Sequence, residues 1–151
     1  YLALKDMLGD AQFRSGLHGF MDRWHGKHPI PWDMFNSFND ITGRNLNWFW
    51  NAWYFSNGYI DMAVKSVTKT TGGYALVVDN IGGMPAPMDV VLTYADGTSE
   101  TIHQSPAVWE PNLKQATVRL ATKKTLKSLE LQGGIWVDAN PKNNSWPSPA
   151  K

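Results

Sequence analysis

Histidine and glutamate are the side chains that could build a zinc hydrolase site, and this chain has few of either. Its histidines are His18, His25, His28 and His103, and its glutamates are Glu100, Glu110 and Glu130. The H-E-x-x-H motif needs two imidazole ligands at i and i+4 of a helix, with a general-base Glu between them. No glutamate precedes Glu100, so the first 99 residues cannot contain it. We therefore assign no catalytic residue and no metal ligand.

A weaker metal candidate is the pair His25 and His28, three residues apart. No carboxylate or thiol lies beside them at ligand spacing, and His28 precedes Pro29 just beyond a predicted helix end. The chain has no cysteine, which excludes disulfides, thiolate metal sites and a cysteine nucleophile. We expect no cofactor in this chain.

Aromatic side chains are concentrated between residues 27 and 55, and they permit two interpretations. Exposed rings could stack on sugars, bases or peptides. Alternatively the rings pack, since each buried Trp or Phe hides about 150–250 Å² and aromatic residues at helical spacing are typical of a core. We favour packing, and three consecutive aromatics at positions 48–50 must face more than one neighbour. The predicted interdomain packing residues are Trp32, Phe35, Trp48, Phe49, Trp50 and Trp53.

The first sixty residues have the apolar period of helices. Apolar residues recur with a 3.6-residue period after Asp10, which is the predicted N-cap, and this pattern stops at Gly26. Residues 2–8 are predicted to complete an earlier helix. Pro31 and Gly43 bracket the next one.

A third helix is predicted from Leu46 to about Phe55, with Asn45 as its cap. From Ile60 onward the period changes to two, which predicts strands. They are expected over residues 64–69, 74–79, 88–94, 99–104, 114–121, 126–131 and 134–138. Asp96-Gly97 predicts a type I′ hairpin turn.

These elements predict an α+β chain with two parts. Residues 1–58 form a short α-helical segment, and residues 59–151 form a small antiparallel immunoglobulin-like β-sandwich with a loose tail from about residue 141. The junction near Gly58 is too short for a flexible linker and predicts a fixed interdomain contact.

Composition excludes several classes of protein. Hydrophobic residues make up 42% and charged residues 18%, which argues against a disordered tail. The net charge of +1 is evenly spread, so we expect no nucleic-acid partner. No apolar run approaches the roughly 18–20 residues of a transmembrane segment. A soluble protein is expected; the compartment is left open, with bacterial periplasmic or secreted as options.

Two passages carry a family resemblance: KHPIPWDMFNSF at residues 27–38 and TGRNLNWFWNAWYF at residues 42–55. They resemble the end of the catalytic domain in gluzincin-type zinc aminopeptidases, the family of membrane alanyl aminopeptidase and leukotriene hydrolase. The resemblance covers nearly the whole chain and is specific over residues 27–55. It implies that residues 1–58 end a thermolysin-like catalytic domain, that His28-Pro29 forms a corner between helices, and that a sandwich follows.

The resemblance also implies what the chain does. It would be a noncatalytic C-terminal fragment of a metalloaminopeptidase whose zinc, peptide substrates and motif glutamate belong to the parent enzyme. Its partner would be the upstream catalytic domain of the same polypeptide, and the opening Tyr-Leu-Ala-Leu is typical of a cut inside a longer chain. Self-association is expected over a face bearing Leu2, Leu4 or Trp48. The alternative is a free-standing binding module that uses exposed Trp for glycans or peptides.

Overall fold

A computed structural model describes residues 1–147, and in them the chain forms three α-helices and two antiparallel sheets. This confirms the α+β class. The chain divides into two compact units: a helical unit, Tyr1–Ser56, and a β unit that begins at Asn57. None of the helices in the described part of the chain has both the length and the hydropathy that crossing a membrane requires.

The helical unit contains α1 (Leu2–Trp24), α2 (Pro31–Thr42) and α3 (Asn47–Phe55). Gly9 interrupts α1 with φ 74° and ψ 162°, which confirms the predicted break between an earlier helix and the next. Asp10 is not the N-cap that we expected. Within residues 1–147 its carboxylate accepts no backbone hydrogen bond and instead lies 3.2 Å from Lys5 Nζ.

Local residues set the bounds of α2 as predicted. Pro31 opens α2, and Asp33 Oδ2 accepts a hydrogen bond of 2.8 Å from the Ile30 amide. Gly43 closes it in the left-handed conformation with φ 64°. The predicted cap of α3 is wrong, because the helix begins at Asn47, one residue later than expected, and its N-cap is Leu46. Asn45 Oδ1 accepts a hydrogen bond of 3.1 Å from the Asn47 amide.

The helices α1 and α2 approach closely because glycine lies at their contact. A Cβ at Gly16 would stand 2.5 Å from Phe38 Cδ1, and Phe38 is completely buried. Leu4 is also buried, so it cannot belong to the exposed self-association face that we expected, whereas Leu2 is exposed.

The described residues of the β unit form seven strands in two sheets. They are β1 (Met62–Thr70), β2 (Gly73–Asn80), β3 (Met88–Tyr94), β4 (Ser99–Gln104), β5 (Gln115–Ala121), β6 (Leu126–Gln132) and β7 (Ser145–Trp146). The first sheet has the order β1-β2-β5 and the second β4-β3-β6-β7. A bulge between Val64 and Ser66 interrupts the register of β1 against β2. Alternate residues of β2, β3, β5 and β6 are buried, so each sheet has one apolar face in the core of this unit.

Six of the predicted strands are confirmed, and the one over residues 134–138 is wrong. That segment is a turn in which the Trp136 amide donates to Gly133 O at 2.9 Å and Gly134 has φ 58°. The seventh strand is β7 instead, paired with β6. The predicted loose tail is therefore ordered from Pro141 to Trp146, and residues 148–151 of it lie outside the described part.

The β3–β4 hairpin is confirmed in place but not in type. No described residue other than glycine has positive φ, so Asp96 cannot occupy a type I′ turn. The Tyr94 amide donates to Thr98 O at 2.9 Å, which makes a three-residue loop with Gly97 left-handed at φ 83°. Hydrogen bonds from Thr98, together with Lys124, lower the pKa of Asp96 to about 2.

Candidate functional site

Three of the six predicted packing residues form the core of the helical unit. Phe35, Phe49 and Trp50 are buried. The rings of Phe35 and Trp50 are stacked with centroids 4.8 Å apart, and Phe49 meets Trp50 edge-on at 5.4 Å. Trp50 Nε1 donates to Asn39 Oδ1 at 3.0 Å, so its polar atom is satisfied in the core. These three side chains hold α2 against α3.

Trp48 and Trp53 are half-buried at the margin of this core. The Trp53 ring lies 5.7 Å from Phe49, and the Trp48 ring meets Phe49 edge-on at 5.8 Å. Trp48 Nε1 is buried but has no hydrogen-bond acceptor among the described residues. An unpaired buried donor costs about 1–3 kcal/mol of stability.

Trp48 and Trp50 should therefore respond differently to the same substitution. Trp50→Phe is expected to destabilise the helical unit by about 1–3 kcal/mol, because it removes the indole hydrogen bond to Asn39 Oδ1 and leaves a cavity beside Phe35; the Leu46 amide remains a donor to that oxygen. Trp48→Phe removes a buried donor that has no partner, and this gain offsets the loss of apolar volume, so we expect little net change or a gain in stability. Hydrogen exchange of the α3 amides over a series of urea concentrations would give the change in the free energy of unfolding for both variants. Equal losses would contradict the hydrogen-bond assignment.

Trp32 lies on the surface, unlike the other five predicted residues. It is 50% exposed and stacks on Phe55, which is 53% exposed, with centroids 4.8 Å apart and an angle of 9° between the rings. Ile30 and Tyr54 are also about half exposed. We call Ile30, Trp32, Tyr54 and Phe55 the Trp32 patch. The sequence named Trp32 as a packing residue but gave no sign that Phe55 would be its partner.

One groove of the helical unit lies between the end of α1 and one side of α2, with a volume of about 590 Å³. Three aspartates line it, but most of its charges are engaged. Arg23 pairs with Asp40, and Lys27 Nζ donates to Arg23 O at 2.7 Å. Asp33 caps α2. Most of the charged side chains that line the groove are thus used in ion pairs and hydrogen bonds within the helical unit.

The second candidate site lies in the β unit, where three strands place polar side chains in one row. Asp89 of β3 is directly opposite His103 of β4 and Gln132 of β6. His103 Nδ1 lies 2.6 Å from Asp89 Oδ1. A carboxylate only accepts, so Nδ1 carries the proton that is donated. Sequence analysis singled out His103 only as a histidine and did not name Asp89 or Gln132.

Trp136 closes the end of that row. Asp89, His103, Gln132 and Trp136, with Pro87, Met88 and Gly133, line an open cavity of about 120 Å³ that we call the Trp136 pocket. Gly133 is essential to its shape, since a Cβ there would lie 2.2 Å from Trp136 O. Gln132 Nε2 donates to Glu130 Oε2 at 3.3 Å, which adds a second carboxylate beside the row.

His25 and His28, the weaker metal candidate, have no third side-chain ligand in the described part of the chain. Within residues 1–147 no three side chains of His, Cys, Asp or Glu are arranged to hold a metal ion. His25 Nδ1 lies 3.1 Å from Met21 O, where it serves the end of α1.

No known family model matches this chain, and no curated protein matches it. Function must therefore be argued from the two sites themselves.

Proposed function

We propose that this chain is the noncatalytic C-terminal part of a gluzincin-type zinc aminopeptidase, in which the helical unit completes the catalytic domain and the β unit is the following spacer. The observation that carries the proposal is the aromatic segment of residues 27–55, whose sequence resembles that family and which forms α2 and α3. Its core is packed, yet Trp32 and Phe55 remain half exposed. A contiguous exposed apolar patch marks an interaction surface.

The corner between α1 and α2 supports the resemblance. His28-Pro29 lies in the short segment between Trp24, the last residue of α1, and Pro31, the first of α2. Pro cannot continue a helix, and the residue before it is restricted to extended conformations. This pair therefore redirects the chain, the structural role that the resemblance implies for it.

The strand order supports an immunoglobulin-like arrangement of the β unit. If the seven strands are lettered A, B, C, C′, E, F and G in chain order, the sheets read A-B-E and C′-C-F-G. Immunoglobulin domains place A, B and E in one sheet and C, F and G in the other. We propose that the two sheets form a sandwich of this kind.

The zinc of such an enzyme does not fit the residues of this chain. The described side chains offer no three-ligand group, and no histidine is followed by a Glu at motif spacing. In the proposed parent the metal and its general-base Glu belong to the preceding sequence, where a zinc-bound water would attack the first peptide bond of a substrate. The role of this chain is structural.

The coding sequence before the Tyr1 codon tests the proposal. We expect an H-E-x-x-H motif within a few hundred codons, and we expect the longer protein to bind zinc and to hydrolyse aminoacyl substrates. The 151-residue chain alone should do neither. An upstream sequence without the motif would overturn the proposal, as would stoichiometric zinc or peptidase activity in the chain alone.

The Trp32 patch gives a second test in the longer protein. Trp32→Ala should lower the melting temperature of the catalytic domain by several degrees, because it removes a large apolar contact. Val137→Ala, at a strongly exposed position of the β unit, is the control. Equal melting temperatures for Trp32→Ala and the unchanged protein would argue against the packing role.

The exposed stack of Trp32 on Phe55 also favours the alternative, a binding module for glycans or peptides. Saturable quenching of tryptophan fluorescence by soluble glycans or peptides, lost in Trp32→Ala, would support this function. A packed patch in the longer protein should not respond to such ligands.

A further inference from the structure

We propose that the Trp136 pocket is a binding site for an alkylammonium or guanidinium group. This inference does not rest on the proposed function, because the pocket lies wholly within the β unit.

The hydrogen-bonding groups of the pocket select a ligand that donates. Asp89 uses Oδ1 for His103, and no other donor in residues 1–147 reaches its carboxylate. The amide oxygen of Gln132 likewise has no donor among the described residues, while its nitrogen is used by Glu130. The pocket thus presents acceptors, which match the N–H groups of ammonium or guanidinium.

Charge points the same way. Asp89 brings a carboxylate to the pocket wall, and its Oδ1 lies 2.6 Å from His103 Nδ1. Glu130 adds another negative charge through its contact with Gln132. No lysine or arginine is among the described residues that line the pocket. An anionic ligand would be repelled, and a neutral polyol would leave the charges uncompensated.

The remaining lining suits the stem of such a ligand. Trp is the best aromatic partner for a cation, and Trp136 forms one wall. Pro87 provides apolar atoms for methylene groups, as lysine and arginine stems require. The volume of about 120 Å³ is well below the 300–1,000 Å³ of drug-sized sites, which favours a single small head group.

The cation could be carried by a basic side chain of a peptide or by a free amine, and one titration series distinguishes them. The probes are n-butylammonium and ethylguanidinium chloride, then the blocked tripeptides acetyl-Gly-Lys-Gly-amide and acetyl-Gly-Arg-Gly-amide. n-Butanol is the neutral control, and sodium chloride controls for ionic strength. Binding is followed by NMR shifts of the Trp136 indole and the Gln132 amide, with the Trp136 resonance assigned by Trp136→Phe. Tighter binding of the peptides indicates a peptide source, and equal binding indicates a free amine.

The matched variants are Asp89→Asn and Asp22→Asn. We expect Asp89→Asn to weaken binding of the cationic probes about fivefold to tenfold. The variant loses a partly exposed ion pair with the cation, and this pair also helps to hold the cation over the Trp136 ring. Asp22→Asn, at the groove of the helical unit, should bind like the unchanged protein. If Asp89→Asn fails to fold, the unchanged protein still tests the proposal, because saturable NMR shifts at Trp136 and Gln132 support binding in the pocket. Absence of saturable shifts at Trp136 and Gln132, equal binding of butanol, or unchanged affinity in a folded Asp89→Asn variant would overturn the proposal.

Discussion

Trp109→Ala is expected to destabilise the β unit by about 3–5 kcal/mol, the cost of truncating a fully buried aromatic side chain. Trp109 lies in a 3₁₀ turn between β4 and β5 and has no exposed surface. Its Nε1 donates to Ala86 O at 2.9 Å, so truncation leaves both a cavity and an unpaired carbonyl. A loss of this size is a large fraction of the 5–15 kcal/mol that stabilises an ordinary domain.

Hydrogen exchange of peptides from the β unit, measured against urea, would give the change in free energy of unfolding. Trp109→Phe should lose less than Trp109→Ala, since it keeps most of the apolar volume. Val137→Ala is the surface control; Val137 is 82% exposed and should change stability by no more than about 0.5 kcal/mol. A loss below 1 kcal/mol for Trp109→Ala would show that this side chain is not part of the core.

Gly73→Ala is expected to cost about 3 kcal/mol or more, because both backbone and space require glycine at this position. Gly73 has φ 144° and opens β2 opposite Ala121 of β5. A Cβ would lie 2.0 Å from Leu120 O and 2.8 Å from Thr122 N. These are backbone atoms of a paired strand, so relief requires the strands to separate.

The neighbouring Gly72 is the matched control for that experiment. It has no positive φ, and nothing lies within 4 Å of its Cβ position. Gly72→Ala should therefore be neutral, or stabilising by about 0.4–1 kcal/mol through the unfolded chain. Thermal unfolding of both variants would test the contrast. Similar melting temperatures would contradict the close approach of β2 and β5.

Elements defined by local chemistry could be predicted from the sequence. Pro31 and Gly43 fix the ends of α2 by their own backbone preferences, so no distant contact was needed. The strands β2, β3, β5 and β6 alternate cleanly because each buries one face. Gly9 was not named, but the break it makes in α1 follows from the apolar pattern on either side.

The segment 134–138 shows where local pattern fails. Ile135-Trp136-Val137 has the composition of a strand, but the preceding Gly133-Gly134 turns the chain away from β6. The strand that pairs with β6 is instead Ser145–Trp146, whose polar sequence gives no strand signal. The Asp138 carboxylate accepts a hydrogen bond of 2.8 Å from the Met62 amide, 76 residues earlier, and such a contact cannot be read from local sequence.

The Trp136 pocket was missed in part because the turn type of the hairpin was predicted wrongly. A two-residue Asp96-Gly97 turn would place Asp89 opposite Gln104, whereas the observed three-residue loop centred on Asp96 places it opposite His103. Gln132 and Trp136 depend on the pairing of β3 with β6, a contact with no local signal. The surface position of Trp32 was likewise unpredictable, because aromatic content does not tell which rings are covered.

The bulge in β1 has a consequence for the chain as a whole. In the described sheet β1 is an edge strand, and an open flat edge is a template on which strands of other molecules can add. The irregularity between Val64 and Ser66 bends that edge, and the exposed Lys69 places a positive charge on it. Fibril growth by stacking of identical chains is disfavoured along this edge, since each added strand would bring another lysine beside the first.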